Sequence, residues 1–354
     1  MVLQRDVSNK FKWMGLLAAL MVVAIHVYPQ PDGWGTPAWW VKSLLSDGIC
    51  RMAVPFFFLA SGYFLAGHVE ETNWWGHEVN KRIKSLVLPL FIWNGLWFMC
   101  CYGTILAANL LAGRELTTNM NLSINIWTKL LSIDPCDQPL VGVLWFLRAL
   151  FFVIVLSPII LLFLQNRRRA IVFLSAVAIV YAIFCPDYEF ERTVCFVCMK
   201  EGFVSVFAIF YFSIGMLFRL QHIDLQKSNR KGVALLWGAV VVVLAVRQIL
   251  WLYMGPHEGF AYFGLILRPL LIVGFWSICP SCDFPNILAG LAFPIYLIHM
   301  ISLFFMGVLH VRPPTDTAWG YVLCAFLNMF FAMCISVAVK KYFPRLAGAL
   351  FGGR

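Results

Sequence analysis

Long apolar runs separated by short polar segments extend over the whole chain. The runs are roughly 18 to 25 residues long, and an α-helix of that length crosses the hydrocarbon core of a lipid bilayer. The pattern therefore predicts an all-α fold, a polytopic membrane helix bundle that forms a single domain over residues 1–354. We predict ten transmembrane spans, at 13–30, 43–67, 85–112, 139–165, 170–186, 203–218, 232–253, 261–279, 287–309 and 319–339.

Composition and charge agree with a protein embedded in a membrane. Hydrophobic residues make up 61% of the chain and charged residues 12%, against about 25% charged residues in soluble domains. If the N-terminus lies inside, the inner segments hold 17 basic residues and the outer loops hold 6. This inside-positive bias predicts that both termini are cytoplasmic. It also accounts for the net charge of +10, so no nucleic-acid partner is required.

Cysteine spacing gives no indication of a metal site. Two C-x-x-C pairs occur, Cys195/Cys198 and Cys279/Cys282, and four such thiolates in one place would suggest zinc. The predicted topology places the pairs near opposite membrane faces, so they cannot share an ion. We interpret them as small packing residues, with a disulfide within 185–198 as the alternative if that loop lies in an oxidising compartment.

Four arginines, Arg51, Arg148, Arg247 and Arg268, lie inside predicted spans, and so does His26. Ionisable residues are costly there and mark functional sites by default. At about 1.5 Å per residue, all five lie in the outer half of the bundle. Either they share an electropositive cavity that suits an anionic or oxyanion-forming ligand, or each has a separate structural role. Asp47, one helical turn before Arg51, is available for the second interpretation.

His26 is the natural candidate for proton transfer, since an imidazole titrates near pH 6.5 and can act as a general base. His299 is a weaker candidate of the same kind. For both, a hydrogen-bonded packing role is the alternative. Trp34, Trp39 and Trp40 are expected to belong to the interfacial aromatic belt, with sugar stacking as the alternative. Composition alone is compatible with both a membrane enzyme and a transporter.

Five motifs in order make the chain recognisable. They are LLAALMVVAIHVY in span 1, RMAVPFFFLASGYFLAG in span 2, the basic KRIKSLVLPLFIW, LWFLRALFFVIVLSPII in span 4 and FPIYLIHM in span 9. The series resembles the acyltransferase-3 family of membrane O-acyltransferases over essentially the whole chain. The resemblance implies an O-acetyltransferase of the bacterial inner membrane. Such an enzyme uses cytoplasmic acetyl-CoA as co-substrate, holds no bound cofactor, and modifies a sugar or polysaccharide of the cell envelope.

The resemblance also implies roles for individual residues. His26 matches the essential histidine, and Arg51 belongs to the same motif series; we expect both to be catalytic. The acyl donor is expected at Lys81, Arg82 and Lys84, where CoA phosphates dock, and at Trp145 and Arg148. The substrate cavity is expected to include a further set of residues: Ser61, Tyr63, Arg247, Arg268, Tyr296 and His299.

Two features depart from the family pattern. The family favours arginines where this chain has Lys81 and Lys84. Many members carry an arginine eleven residues before the histidine, where this chain has Gly15, and Lys12 lies about one turn away. His26 is expected to deprotonate the acceptor hydroxyl or to carry the acyl group itself, with arginines stabilising the oxyanion. The alternatives are a transporter or flippase for an anionic or lipid-linked glycan and, given Gly15, an inactive assembly subunit. The small Ser61-Gly62-Tyr63 patch predicts close approach by another helix or by the donor.

Overall fold

The computed structural model describes residues 5–29, 35–111, 124–132, 139–184, 193–194, 197–198, 204–225, 229–255 and 260–353. The α-helices are α1 Arg5–Ile25, α2 Pro37–Leu44, α3 Ala53–Leu65, α4 Trp74–Arg82, α5 Leu88–Leu111, α6 Ile124–Leu131, α7 Trp145–Val155, α8 Ser157–Leu164, α9 Arg167–Phe184, α10 Val206–Leu220, α11 Arg230–Met254, α12 Phe260–Ile278, α13 Ala292–Val308, α14 Ala318–Tyr342 and α15 Pro344–Leu350. Three strands of two residues each form a small sheet in the order β1-β2-β3: β1 Thr193–Val194, β2 Val197–Cys198 and β3 Val204–Ser205.

Each predicted span coincides with a helix or a helix pair. Five continuous helical segments are long and apolar enough to cross a membrane, and a bent pair makes up to six. Three shorter apolar helices, Val206–Leu220, Tyr262–Ile278 and Ala292–Val308, accompany them. These apolar helices make the chain a multi-pass membrane protein. The number of ten crossings and the cytoplasmic termini stay predictions.

Two predicted boundaries were wrong in a way that matters for charge placement. The second span starts at Pro37 instead of residue 43, and the third starts at Trp74 instead of residue 85. Lys42 therefore belongs to a helix and is buried, with 5% of its surface exposed, although we predicted it in an outer loop. Lys81 and Arg82 likewise lie on α4.

Capping side chains explain where several helices begin. Thr36 precedes Pro37 and accepts a hydrogen bond from the Trp39 amide. Ser205, Asn229 and Thr317 cap α10, α11 and α14 in the same way. Each cap satisfies a backbone N–H group that the first helical turn leaves without a partner.

Irregular turns interrupt the helices where polar residues occur. A π-helical segment, Leu45–Ile49, and a 3-10 turn, Cys50–Met52, join α2 to α3, and a second π-helical segment, Ile83–Val87, joins α4 to α5. Such π-segments are frequent at functional sites. Helices α7 and α8 meet at 59°, because Pro158, the second residue of α8, has no N–H group to continue the preceding helix.

The centre of the bundle is built around α1 and a close helix crossing. Helix α1 packs against α3, α13 and α14, and α3 packs against α10. At the crossing, a Cβ atom on Gly62 would lie 2.0 Å from the Phe212 carbonyl oxygen, and one on Gly215 would lie 1.9 Å from the Leu59 carbonyl oxygen. The backbones touch because both positions lack a side chain. The predicted close approach at Ser61-Gly62-Tyr63 is confirmed, and the neighbour is a helix.

Candidate active site

His26 is positioned by the end of α1. The helix ends at Ile25, and the His26 backbone N–H bonds to the Val23 carbonyl at 3.2 Å in a tightened last turn. The Val22 carbonyl is among the last four of the helix, which lack intrahelical partners. His26 Nδ1 lies 2.8 Å from that oxygen. The side chain therefore caps its own helix, and this contact sets the orientation of the imidazole ring.

His299 meets His26 from the neighbouring helix α13. It is fully buried, with 0% of its surface exposed, and its Nδ1 lies 2.6 Å from the Tyr296 carbonyl oxygen. Its other nitrogen, Nε2, lies 3.3 Å from His26 Nδ1, and the ring centroids are 5.0 Å apart. The sequence named both histidines, and the packing of α1 against α13 brings them together.

The carbonyl contacts define the positions of the protons. A carbonyl oxygen is only an acceptor, so each Nδ1 beside one carries hydrogen. In a neutral imidazole the other nitrogen, Nε2, then holds the lone pair. His299 Nε2 accordingly accepts from His26 Nδ1–H, which is shared with the Val22 carbonyl. His26 Nε2 is left as the basic atom of the pair.

A partly buried ionic cluster is centred on Asp47, in the first π-helical segment. The Asp47 carboxylate accepts from Lys42 Nζ at 2.7 Å and from Arg51 Nη2 at 2.8 Å. Lys42 also lies over the rings of Tyr28 and Trp39, at 5.3 and 4.9 Å from their centroids. Arg51, predicted to be catalytic, is therefore bound to Asp47, as the structural alternative required.

This cluster is attached to the helix that carries His26. Ser46 Oγ donates to the Ala24 carbonyl at 3.0 Å and is bonded to the Tyr321 hydroxyl from α14. Ala24 lies two residues before His26. The last turn of α1 therefore connects the π-helical segment that bears Asp47 to the His26–His299 pair.

The other three intramembrane arginines occupy different surroundings. Arg247 donates to the Ser43 carbonyl at 2.8 Å, next to the Asp47 cluster. Arg268 donates to the Tyr181 hydroxyl and lies over the Phe207 ring. Arg148 is buried and lines a cavity of about 250 Å³ between α5 and α7, together with Leu90, Ser132 and Phe151. Arg247 thus lies beside the cluster that holds Arg51.

The predicted donor cluster contains an acid that the sequence reading overlooked. Glu78 is 3% exposed and accepts from Lys81 Nζ at 3.3 Å and from Arg82 Nη2 at 3.0 Å. Spacings of three and four residues put all three on one face of α4, and that spacing was the available signal. Lys84 is exposed, and no ion pair is recorded for it within the described ranges.

The remaining predicted site residues make contacts between helices. The Tyr296 hydroxyl donates to the Val143 carbonyl at 2.5 Å, which connects α13 to the 3-10 turn that precedes α7. Trp145 packs on Phe58 and Phe207. The Tyr63 hydroxyl accepts from Arg219 at 3.4 Å, and Ser61 is half-buried beside the α3–α10 crossing.

A larger polar cavity of about 600 Å³ lies at the other end of α1. It is lined by Arg5, Asn9, Lys12, Asp283 and Asn286, among others. The Arg5–Asp283 ion pair crosses it. Lys12 thus faces this cavity, while Gly15 has open space where a side chain would project.

The cysteine predictions are tested in part. Cys279 and Cys282 are free thiols, and the described residues contain no group of three or more potential metal ligands. The pair Cys195/Cys198, the proposed 185–198 disulfide and Trp34 lie outside the residues whose side chains the structure describes. Trp40 packs edge-on against Trp251.

Comparison with known proteins identifies the family. A bundle of apolar helices around the His26–His299 pair defines a multi-pass membrane protein with a candidate acid–base site. A family model described as an acyltransferase domain matches residues 10–338. The chain therefore belongs to the acyltransferase-3 family.

Two curated relatives were found. The succinoglycan biosynthesis protein ExoH of Rhizobium meliloti is 26% identical over 377 aligned positions, which cover 99% of this chain and 93% of that protein. An amino-acid racemase of Enterococcus faecalis is 31% identical over 83 residues, or 23% of this chain and 11% of that protein. No solved structure matches the chain.

Proposed function

We propose that this protein transfers an acyl group from cytoplasmic acyl-CoA to a hydroxyl of a cell-envelope glycan or lipid-linked sugar. Acetyl is the acyl group that we propose. The family assignment supports acyl transfer. The relative named for succinoglycan biosynthesis supports a glycan acceptor. The observation that carries the proposal is the His26 imidazole, whose basic Nε2 is oriented by contacts of its Nδ1 with Val22 and His299.

The chemistry follows from that orientation. His26 Nε2 takes the proton of the acceptor hydroxyl as the oxygen attacks the thioester carbonyl. The carbon–sulfur bond breaks, and the CoA thiolate leaves with the proton that His26 returns. Transfer of the acyl group through His26 itself is the alternative order of events. A guanidinium, Arg51 in our proposal, stabilises the oxyanion formed during attack.

The other assignments extend this proposal. Lys81, Arg82 and Lys84 receive CoA phosphates from the cytoplasmic side, with Trp145 and Arg148 along the donor path. Ser61, Tyr63, Arg247, Arg268 and Tyr296 border the space used by the substrates, and His299 acts on that space through its contact with His26. The protein works in the bacterial inner membrane.

The test measures the rate at which purified protein in nanodiscs releases CoA thiol. The nanodiscs are supplied with acetyl-CoA or succinyl-CoA and with oligosaccharide from the surface polysaccharide. We expect His26→Ala to lower the rate by about 100-fold or more, the size of a general-base contribution. The exposed His77 provides the control, and His77→Ala should keep wild-type activity.

Two results would contradict the proposal. Full activity of His26→Ala would exclude His26 as the base. Movement of a glycan across the membrane without CoA release, insensitive to His26→Ala, would favour the transporter.

A further inference from the structure

The His26–His299 contact has a geometry that assigns separate tasks to the two rings. His26 Nδ1 faces two acceptors, the Val22 carbonyl at 2.8 Å and His299 Nε2 at 3.3 Å. His299 Nδ1 faces the Tyr296 carbonyl at 2.6 Å. Among neutral forms, one arrangement satisfies all three contacts: hydrogen on both Nδ1 atoms and lone pairs on both Nε2 atoms.

His299 cannot itself meet the substrate, since it is 0% exposed and both of its ring nitrogens are engaged within the protein. His26 is half-buried. A chain of hydrogen bonds thus runs from His26 Nδ1–H to His299 Nε2, and from His299 Nδ1–H to the helix backbone of α13. The His299 ring thus holds the His26 ring in one tautomer, from the buried side of the pair.

We propose that His299 is a positioning residue for acyl transfer, which accepts from His26 Nδ1–H and stabilises the imidazolium that forms when His26 Nε2 takes the proton of the acceptor hydroxyl. The inference rests on the proposed function of His26. The Nδ1 hydrogen stays on His26 throughout, and the transferred proton returns from Nε2 to the leaving thiolate. Because hydrogen bonds to charged groups are stronger than those to neutral ones, the contact with His299 strengthens as the charge develops.

Two substitutions separate this role from packing. His299→Leu fills the site without an acceptor, and His299→Gln supplies an amide oxygen that can accept from His26 Nδ1–H. We expect His299→Leu to lower kcat by about 10- to 100-fold, as for loss of a hydrogen bond to a charged group, with KM for acyl-CoA unchanged. His299→Gln should recover a large part of that loss.

The control and the coupling test use the same assay. Ser302 lies about one turn further along α13 and is 3% exposed, so Ser302→Ala measures a neighbouring buried change and should keep kcat. In the His26→Ala background, His299→Leu should cause no further loss, because it acts through His26. Equal activity of His299→Leu and wild type, no recovery by His299→Gln, or an undiminished loss in the double variant would each overturn the inference.

Nitrogen NMR tests the arrangement without any reaction. In protein labelled with ¹⁵N-histidine, with signals assigned by His26→Ala and His299→Leu, we expect hydrogen on both Nδ1 atoms and none on His299 Nε2. Hydrogen on His299 Nε2 would overturn the inference even if transfer is observed. If the NMR result is as expected but no acyl-CoA is consumed, the proposed function fails and the pair geometry stands.

Discussion

Arg51 shows why a single charged residue in a membrane helix has two interpretations, one structural and one catalytic. Its Nη2 donates to Asp47, which also holds Lys42, so the guanidinium contributes to a structural cluster. The cluster is also joined through Ser46 to the turn before His26, and this connection motivates the catalytic role that we propose for Arg51. Separate substitutions of the two partners distinguish the roles.

We expect Asp47→Asn to destabilise the protein by about 2–3 kcal/mol, because two cations lose their charged acceptor. Arg51→Lys keeps the charge beside Asp47 and should leave the melting temperature nearly unchanged. If Arg51 stabilises the oxyanion, Arg51→Lys should still lower kcat by about 100-fold, since a lysine does not reproduce the planar donor fork. Wild-type kcat for Arg51→Lys would restrict Arg51 to its structural role.

At the scale of elements, the α3–α10 crossing depends on glycine at two positions, Gly62 and Gly215. Gly62→Ala and Gly215→Ala each push a Cβ atom to about 2 Å from a carbonyl oxygen of the other helix, so the helices must separate. We expect each to cost about 1–3 kcal/mol, as for other overpacked cores, measured as a lower melting temperature in detergent.

Gly95→Ala is the matched control for these substitutions, since an added Cβ there meets nothing within 4 Å. In that helix it should be neutral or stabilising by about 0.5–1 kcal/mol, because glycine is a poor helix former. Equal stability of Gly62→Ala, Gly215→Ala and Gly95→Ala would mean that the close crossing is not required for stability.

For the whole molecule, the inside-positive charge bias predicts which loops are cytoplasmic. The segment between α12 and α13 contains the exposed Cys282 and lies on the inner side in this topology. In a variant that keeps Cys282 as its single cysteine, an impermeant maleimide should label inside-out vesicles and spare right-side-out ones. Val311→Cys, at an exposed site between α13 and α14, should show the opposite pattern in the same cysteine-free background. Labelling of Cys282 in right-side-out vesicles would contradict the predicted orientation.

The sequence by itself determined the class of fold, the approximate positions of the helices and the candidate residues His26 and His299. Hydropathy and spacing are local properties, so they can be read without knowing which helices are neighbours. The family motifs carried the expected chemistry for the same reason, since each lies within one span.

Only the tertiary structure decided which polar groups meet. The His26–His299 contact joins residues that are 273 positions apart, and it depends on how α1 packs against α13. The four intramembrane arginines lie at a similar predicted depth, yet depth does not specify the direction in which a side chain points around its helix. The Arg51–Asp47 contact is local, because the two residues lie four positions apart on one helical segment. Packing set the direction of Arg268, which donates to Tyr181 on α9, because a buried charge must find its partner on whichever helix lies opposite.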